Sequence, residues 1–290
     1  MDAVAFHPDG IHLLGGGDNG IRRWRLADGR EVGKQTGMAL RAISVSKGGK
    51  WIVCGNEEGA SVWDAELHEK RTDVEGRNRV YAIDLSPDSA RFATGTCTNE
   101  VNVWSMTGGK RLVGPLKHDI EVSGVRFSPT GEHIATSCHG GSVRIFDSRN
   151  GDQLIDIETI TRLSLPITPL AWSDDGQQIF TVSNDVKIKS FTVSTGSQLA
   201  ESPLLNGDRS ITLASNDKFI ATVAEHTISF LDTSTLANIG TAIPDSRGMW
   251  SIAMSLDSSQ IATGRRDGKI FIHRLANFLP DSYGPFHVSI

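Results

Sequence analysis

The stretch Val122-Ser123-Gly124-Val125-Arg126-Phe127-Ser128-Pro129-Thr130-Gly131, continued by His133-Ile134-Ala135-Thr136-Ser137 and Val143-Arg144-Ile145-Phe146-Asp147, decides the fold. It contains apolar runs of strand length at Val122–Phe127, His133–Ser137 and Ser142–Phe146, and a fourth follows at Gln153–Ile157. None of them sustains a helical period for ten residues. Ser128-Pro129-Thr130-Gly131, His139-Gly140-Gly141 and Ser148-Arg149-Asn150-Gly151 separate the runs. These are turn sequences, because Gly and Asn tolerate positive φ and Pro presets its own φ. The unit therefore reads as four short antiparallel strands.

The same unit recurs along the whole chain. Relatives of Phe127-Ser128-Pro129-Thr130-Gly131 begin at Phe6, Val45, Leu85, Trp172, Leu213 and Met254, in steps of 39 to 45 residues. A second phrase follows each at 18 or 19 residues, with Trp24, Trp63, Trp104, Phe146, Phe191, Leu231 and His273 in register. Seven copies in fixed register predict seven like units, about 1–37, 38–77, 78–117, 118–163, 164–206, 207–246 and 247–290, in one domain. The one helix-like window, Asp64–Arg71, falls where the other copies place a turn and an outer strand, and is read that way.

Composition agrees. The chain has 290 residues, 30 of them Gly, with 38% apolar residues and a net charge of −5. That charge argues against a polybasic nucleic-acid or membrane-surface binder. No run of 18 apolar residues and no signal-peptide pattern occurs. Cys54, Cys97 and Cys138 are three, so they cannot all pair. A cytoplasmic location is expected, with the nucleus left open.

Repeats of about 41 residues with a Ser-Pro-Asp-Gly-like turn and a strand ending in Trp-Asp resemble the WD40 (Trp-Asp) repeat family, from Val4 to Leu275. The resemblance implies an all-β, seven-bladed β-propeller of four-stranded antiparallel blades around a channel. The phrase Leu112-Val113-Gly114-Pro115-Leu116-Lys117-His118 also resembles repeat arrays of fungal and bacterial NTPase-linked signalling proteins. Departures from the family pattern are plain. Copy two alone ends in Trp-Asp, at Trp63-Asp64. The family's buried His is matched only by His118, and its turn Asp by Asp18, Asp185 and Asp267. Glu57, Thr98, Gly140 and Glu225 stand at the other turns, so apolar packing between blades must supply most of the stability. The tail Asp281–Ile290 is expected to add the last blade's outer strand. The alternative is that the sequence is part of a longer chain.

Motifs that could carry chemistry are few. Gly15-Gly16-Gly17-Asp18-Asn19-Gly20 satisfies GxGxxG, but a strand follows where a dinucleotide site needs a helix, so it reads as a turn of copy one. The nine His are scattered among turns and strand starts, and no metal or cofactor is expected. The innermost strands carry only Asp84 and Arg126 as charges, too few for a lactonase-like metal hydrolase in the channel, which is the enzyme alternative. A glycan-binding propeller would need one exposed aromatic per blade, and the repeated aromatics here are read as core.

One row differs. Four residues before each copy's anchor stand Asp2, Arg41, Tyr81, Ser123, Thr168, Arg209 and Trp250. Arg, Tyr and Trp are the types enriched at interface hot spots. In the resembling family this end of the strand forms the upper rim, and the neighbouring turns add His139 and Arg266. The expectation is a non-catalytic, monomeric scaffold that binds a protein or peptide on this rim through Arg41, Tyr81, Arg209, Trp250, His139 and Arg266.

Overall fold

The computed structural model describes the chain except residues 1–2, 34–36, 38, 67–68, 75, 77, 140–141, 158–168, 184–185, 206–210, 225, 246–247 and 285–290, and the side chains of 211 and 212. The described residues form seven antiparallel sheets, blades one to seven in chain order. Five have four strands, called a to d from first to last, and blades one and seven have three. The a strands are Ala3–Phe6, Ala42–Val45, Val80–Leu85, Val122–Phe127, Leu170–Trp172, Ile211–Ser215 and Met249–Met254. Each packs beside the next, and Met249–Met254 packs against Ala3–Phe6, which closes a ring. The all-β, seven-bladed propeller expected from the repeats is the fold observed.

Burial follows strand position. Strand b of blade six, Phe219–Ala224, is buried throughout, since neighbouring blades cover both its faces. Strand d of blade two, Glu69–Asp73, is mostly exposed and correspondingly reads Glu-Lys-Arg-Thr-Asp. The buried clusters straddle successive blades: Val101, Val103 and Leu116 of blade three pack with Val122, Val125 and Ile134 of blade four. Burying each such side chain is worth about 1.5–3 kcal/mol, so the seams between blades hold the ring together. Arg91 adds polar links at one seam, donating to Ser148 O (2.9 Å) and Gly131 O (3.1 Å) of blade four.

Close packing explains some of the glycines. Those of strand b are not turn residues: a Cβ on Gly55 would lie 2.6 Å from Val80, and one on Gly95 2.8 Å from Val122. Gly15, Gly16 and Gly17 likewise belong to strand b of blade one, His12–Gly17, and the turn that follows starts only at Asp18. This corrects the reading of the whole glycine run as a turn.

Two further expectations are corrected. The anchor of copy six is not Leu213: Ser215 pairs with Ile220, as Phe127 pairs with Ile134 in blade four. The a–b hairpin of blade six is shorter, and Asn216 Oδ1 closes it by accepting the N–H groups of Lys218 (2.9 Å) and Phe219 (2.8 Å). The tail also departs from the expected strand. Asp281–Tyr283 is a turn of 3-10 helix. It lies against blade six, where Tyr283 Oη donates to Asp232 Oδ2 (3.0 Å) and Thr241 N–H donates to Phe278 O (2.8 Å). Residues 285–290 of the expected strand lie outside the described residues.

The residues matching the family's turn and tie positions divide. His118 is buried, with Nδ1 3.1 Å from Leu116 O and Nε2 2.8 Å from Thr136 Oγ1. A neutral ring that donates to the carbonyl and accepts from the hydroxyl satisfies both atoms. Burial holds its pKa down to about 4, so the ring is neutral at physiological pH. Asp18 and Asp267 instead sit in exposed b–c turns, Asp267 Oδ1 accepting the N–H of Lys269 (3.1 Å). Asp185 lies outside the described residues.

Candidate functional site

The strand-a starts build the mouth of the channel. In blade three Val80 pairs with Thr96 and Ala82 with Gly95, so Tyr81 is left out of the ladder as a bulge. Ser123 is skipped in the same way in blade four, and Trp250 in blade seven. A bulge leaves one residue unpaired and re-aims its side chain. Arg41 stands just before strand a of blade two, its N–H bonded to Gly55 O (2.8 Å). Arg41, Tyr81, Ser123 and Trp250 all line one cavity of about 150 Å³ on the channel axis. Ser123 is buried, whereas Trp250 is 38% exposed.

Charged and aromatic groups link around half of this mouth. Arg41 Nε is 3.1 Å from Glu57 Oε1, and Arg79 pairs with the same carboxylate. Desolvation raises the Glu57 pKa, but hydrogen bonds and charge from Arg41 and Arg79 more than offset it, leaving it below the ordinary value. Arg79 reaches Tyr81 Oη at 3.4 Å. Tyr81 stacks on the His139 ring with centroids 5.8 Å apart, and His139 Nδ1 lies 3.2 Å from Glu121. The run Arg41–Glu57–Arg79–Tyr81–His139–Glu121 thus crosses blades two, three and four. In blade seven the Arg266 guanidinium lies 5.5 Å from the Trp250 ring centre, a cation–π pair.

Five of the six rim candidates therefore meet at this mouth. Arg209 lies outside the described residues, and the shorter hairpin of blade six gives its row position to Ile211. Sequence reading took Glu57 only as a turn acid and passed over Arg79 and Glu121. The available signal was position, since Arg41, Arg79 and Glu121 each immediately precede a strand a.

The channel wall offers little chemistry. In the described a strands Asp84 and Arg126 are the charged residues, and they lie 3.7 Å apart. Asp84 Oδ2 also accepts the Phe127 N–H (2.8 Å). Desolvation raises the Asp84 pKa against the opposing pull of Arg126 and Phe127. Among the described residues one set of metal-type donors converges, His7, Asp9 and His12, at the far end of strand a in blade one. Among the described residues the cysteines form no disulfide, and burial raises the thiol pKa of Cys54 and lifts that of Cys138 to about 11.

Comparison with known proteins agrees with this geometry. The WD domain, G-beta repeat, matches residues 2–25, and the WD40 domain of anaphase-promoting complex subunit 4 matches residues 85–163. WD40 family models thus match two stretches of this seven-bladed β-propeller. Its sequence is 21% identical over 279 residues to the zebrafish (Danio rerio) intraflagellar transport protein 122 homolog, covering 94% of this chain and 23% of that protein. It is 28% identical over 192 residues to protein HIRA of Caenorhabditis elegans, covering 54% and 20%. It is 22% identical over 284 residues to actin-interacting protein 1 of Drosophila melanogaster, covering 93% and 46%. The chain thus spans from a fifth to under half the length of these relatives. Among the described residues no helix is long and apolar enough to cross a membrane.

Proposed function

We propose that this WD40 propeller is a non-catalytic scaffold that binds a protein or peptide at the channel mouth. The observation that carries this is the convergence of Arg41, Tyr81 and Trp250 on one cavity, two of them aimed there by bulges. His139 and Arg266 extend the surface through the Tyr81 and Trp250 rings they touch. Rigid aromatic side chains suit a binding anchor because little of their freedom is lost on contact, and Arg adds a planar, charged hydrogen-bonding fork. Relatives named for intraflagellar transport and for actin interaction support a protein partner over a nucleic acid. Cysteines that form no disulfide suit a reducing compartment, so we place the domain in the cytoplasm, as a monomer within its assembly or longer chain.

The enzyme alternative would use carboxylates converging in the channel. Asp84 is engaged by Phe127 N–H and Arg126, which favours the scaffold. The test is affinity capture from native extract with the wild type and with an Arg41→Ala/Tyr81→Ala/Trp250→Ala variant, followed by mass spectrometry. The variant is expected to lose its partner while keeping the wild-type circular dichroism spectrum and melting temperature. Undiminished capture by the folded variant overturns the site.

A further inference from the structure

The a–b hairpin of blade one gathers residues that stand apart in every other reading of the chain. His7 follows strand a, Asp9 sits in the turn and His12 opens strand b. Their donor atoms all lie within 4.8 Å of one another. Asp9 Oδ2 is 2.9 Å from His7 Nδ1 and 2.6 Å from His12 Nδ1. Asp9 Oδ1 is occupied separately, accepting the N–H groups of Ile11 (2.8 Å) and His12 (3.0 Å), which fixes the carboxylate and leaves Oδ2 facing the rings.

The hydrogen bonds set the ring tautomers. His7 Nε2 lies 2.9 Å from Gly49 O of blade two. A carbonyl only accepts, so Nε2 carries the hydrogen, and the Nδ1 lone pair of a neutral ring accepts the Asp9 N–H (3.3 Å) while lying beside Asp9 Oδ2. The Arg23 guanidinium donates to His12 Nδ1 at 2.8 Å, so that nitrogen also presents a lone pair. Two imidazole lone pairs and a carboxylate oxygen then face one point. The Asp9 N–H and the Arg23 guanidinium share these lone pairs, and a cation seated among all three donors would engage them together. Arg23 also reaches Asp9 Oδ2 at 3.4 Å.

We propose that His7, Asp9 and His12 bind a divalent transition-metal ion of the zinc type, through His7 Nδ1, Asp9 Oδ2 and His12 Nδ1, with water completing the shell. Two imidazoles and a carboxylate are a usual donor set for such ions. Ligands about 2.0–2.1 Å from a tetrahedral ion stand roughly 3.3 Å apart, so the donors must spread by about half an ångström. The His7–Gly49 contact is the outer hydrogen bond that orients a metal-bound imidazole. Gly49 is required for it: a Cβ there would lie 2.6 Å from the His7 ring. Because His7 belongs to blade one and Gly49 to blade two, the ion braces that seam. The site lies at the opposite end of strand a from the channel mouth, so it is independent of the partner surface.

The experiment titrates untagged, chelator-treated protein with Co²⁺, read by visible absorption, and with Zn²⁺, read by calorimetry. One ion per chain is expected, with affinity falling at least tenfold in Asp9→Asn and in His12→Gln. Gly49→Ala removes no ligand and is expected to weaken binding by misplacing His7. Arg23→Gln is expected to tighten it, since the guanidinium competes for the same lone pairs. His133→Gln, outside the cluster, should bind as the wild type does. The proposal is overturned if neither wild type nor Arg23→Gln takes up metal at about 100 µM. It is equally overturned if folded Asp9→Asn and His12→Gln bind as the wild type does.

Discussion

His118 shows how one side chain links sequence, packing and stability. Its ring is buried against Phe146 and bonded to Leu116 O and Thr136 Oγ1, and burial lowers its pKa to about 4. Unfolded, the ring would titrate near pH 6.5. Between the two values the unfolded chain binds the extra proton, so stability is full above about pH 6.5 and falls as pH drops toward 4. The loss attributable to this residue is on the order of 2–3 kcal/mol. Urea unfolding at pH 7.5 and pH 5 should show a larger loss for the wild type than for His118→Gln. Equal losses would show that His118 does not titrate in this way. His118 was legible in the sequence as a family-type histidine. Its partner Thr136 was not, because eighteen residues of chain separate two atoms that touch only in the folded blade.

At the scale of the element, strand b of each blade is the packing surface for strand a of the next. Gly95 lies under Val122 and Val125, with no room for a Cβ. Gly95→Val should cost about 1–3 kcal/mol through overpacking, measured as a lowered denaturation midpoint with an unchanged slope. A change within error would mean that the seam yields more than close packing allows. The strands themselves were legible, since apolar alternation and turn residues repeat seven times. Hairpin length was less so. Copy six keeps a recognisable phrase at Leu213, yet its a–b turn is closed early by Asn216, so the register moved to Ser215. A similar phrase can sit on a different rung of the ladder, since pairing is set by turn geometry.

The whole ring has one seam unlike the others. Blades one and seven show three strands each among the described residues, and a groove of about 410 Å³ runs between them, lined by Leu13, Trp24, Ile270 and Ile272. Ile272 is 42% exposed, while its counterparts Val103 and Ile145, covered by a d strand, are fully buried. Hydrogen exchange should therefore be faster in Ile270–Arg274 than in strand c of blade four, Val143–Asp147. Equal protection would show that a further strand covers this edge. Loss of partner capture in the Arg41→Ala/Tyr81→Ala/Trp250→Ala variant belongs to the same scale, because those residues come from three blades and meet only when the ring closes.

The sequence by itself determined the repeat, the number of blades and the apolar character of their seams. Those depend on local periodicity and turn chemistry, which any one copy displays and seven copies confirm. It also marked Arg41, Tyr81 and Trp250 by their place in the repeat. The tertiary structure decided which side chains converge: the Arg41–Glu57–Arg79–Tyr81–His139–Glu121 run across three blades, and the His7–Asp9–His12 cluster braced by Gly49. The physical reason is that bulges, ring closure and contacts between blades fix directions in space, and a pattern of residue types along a chain carries no directions.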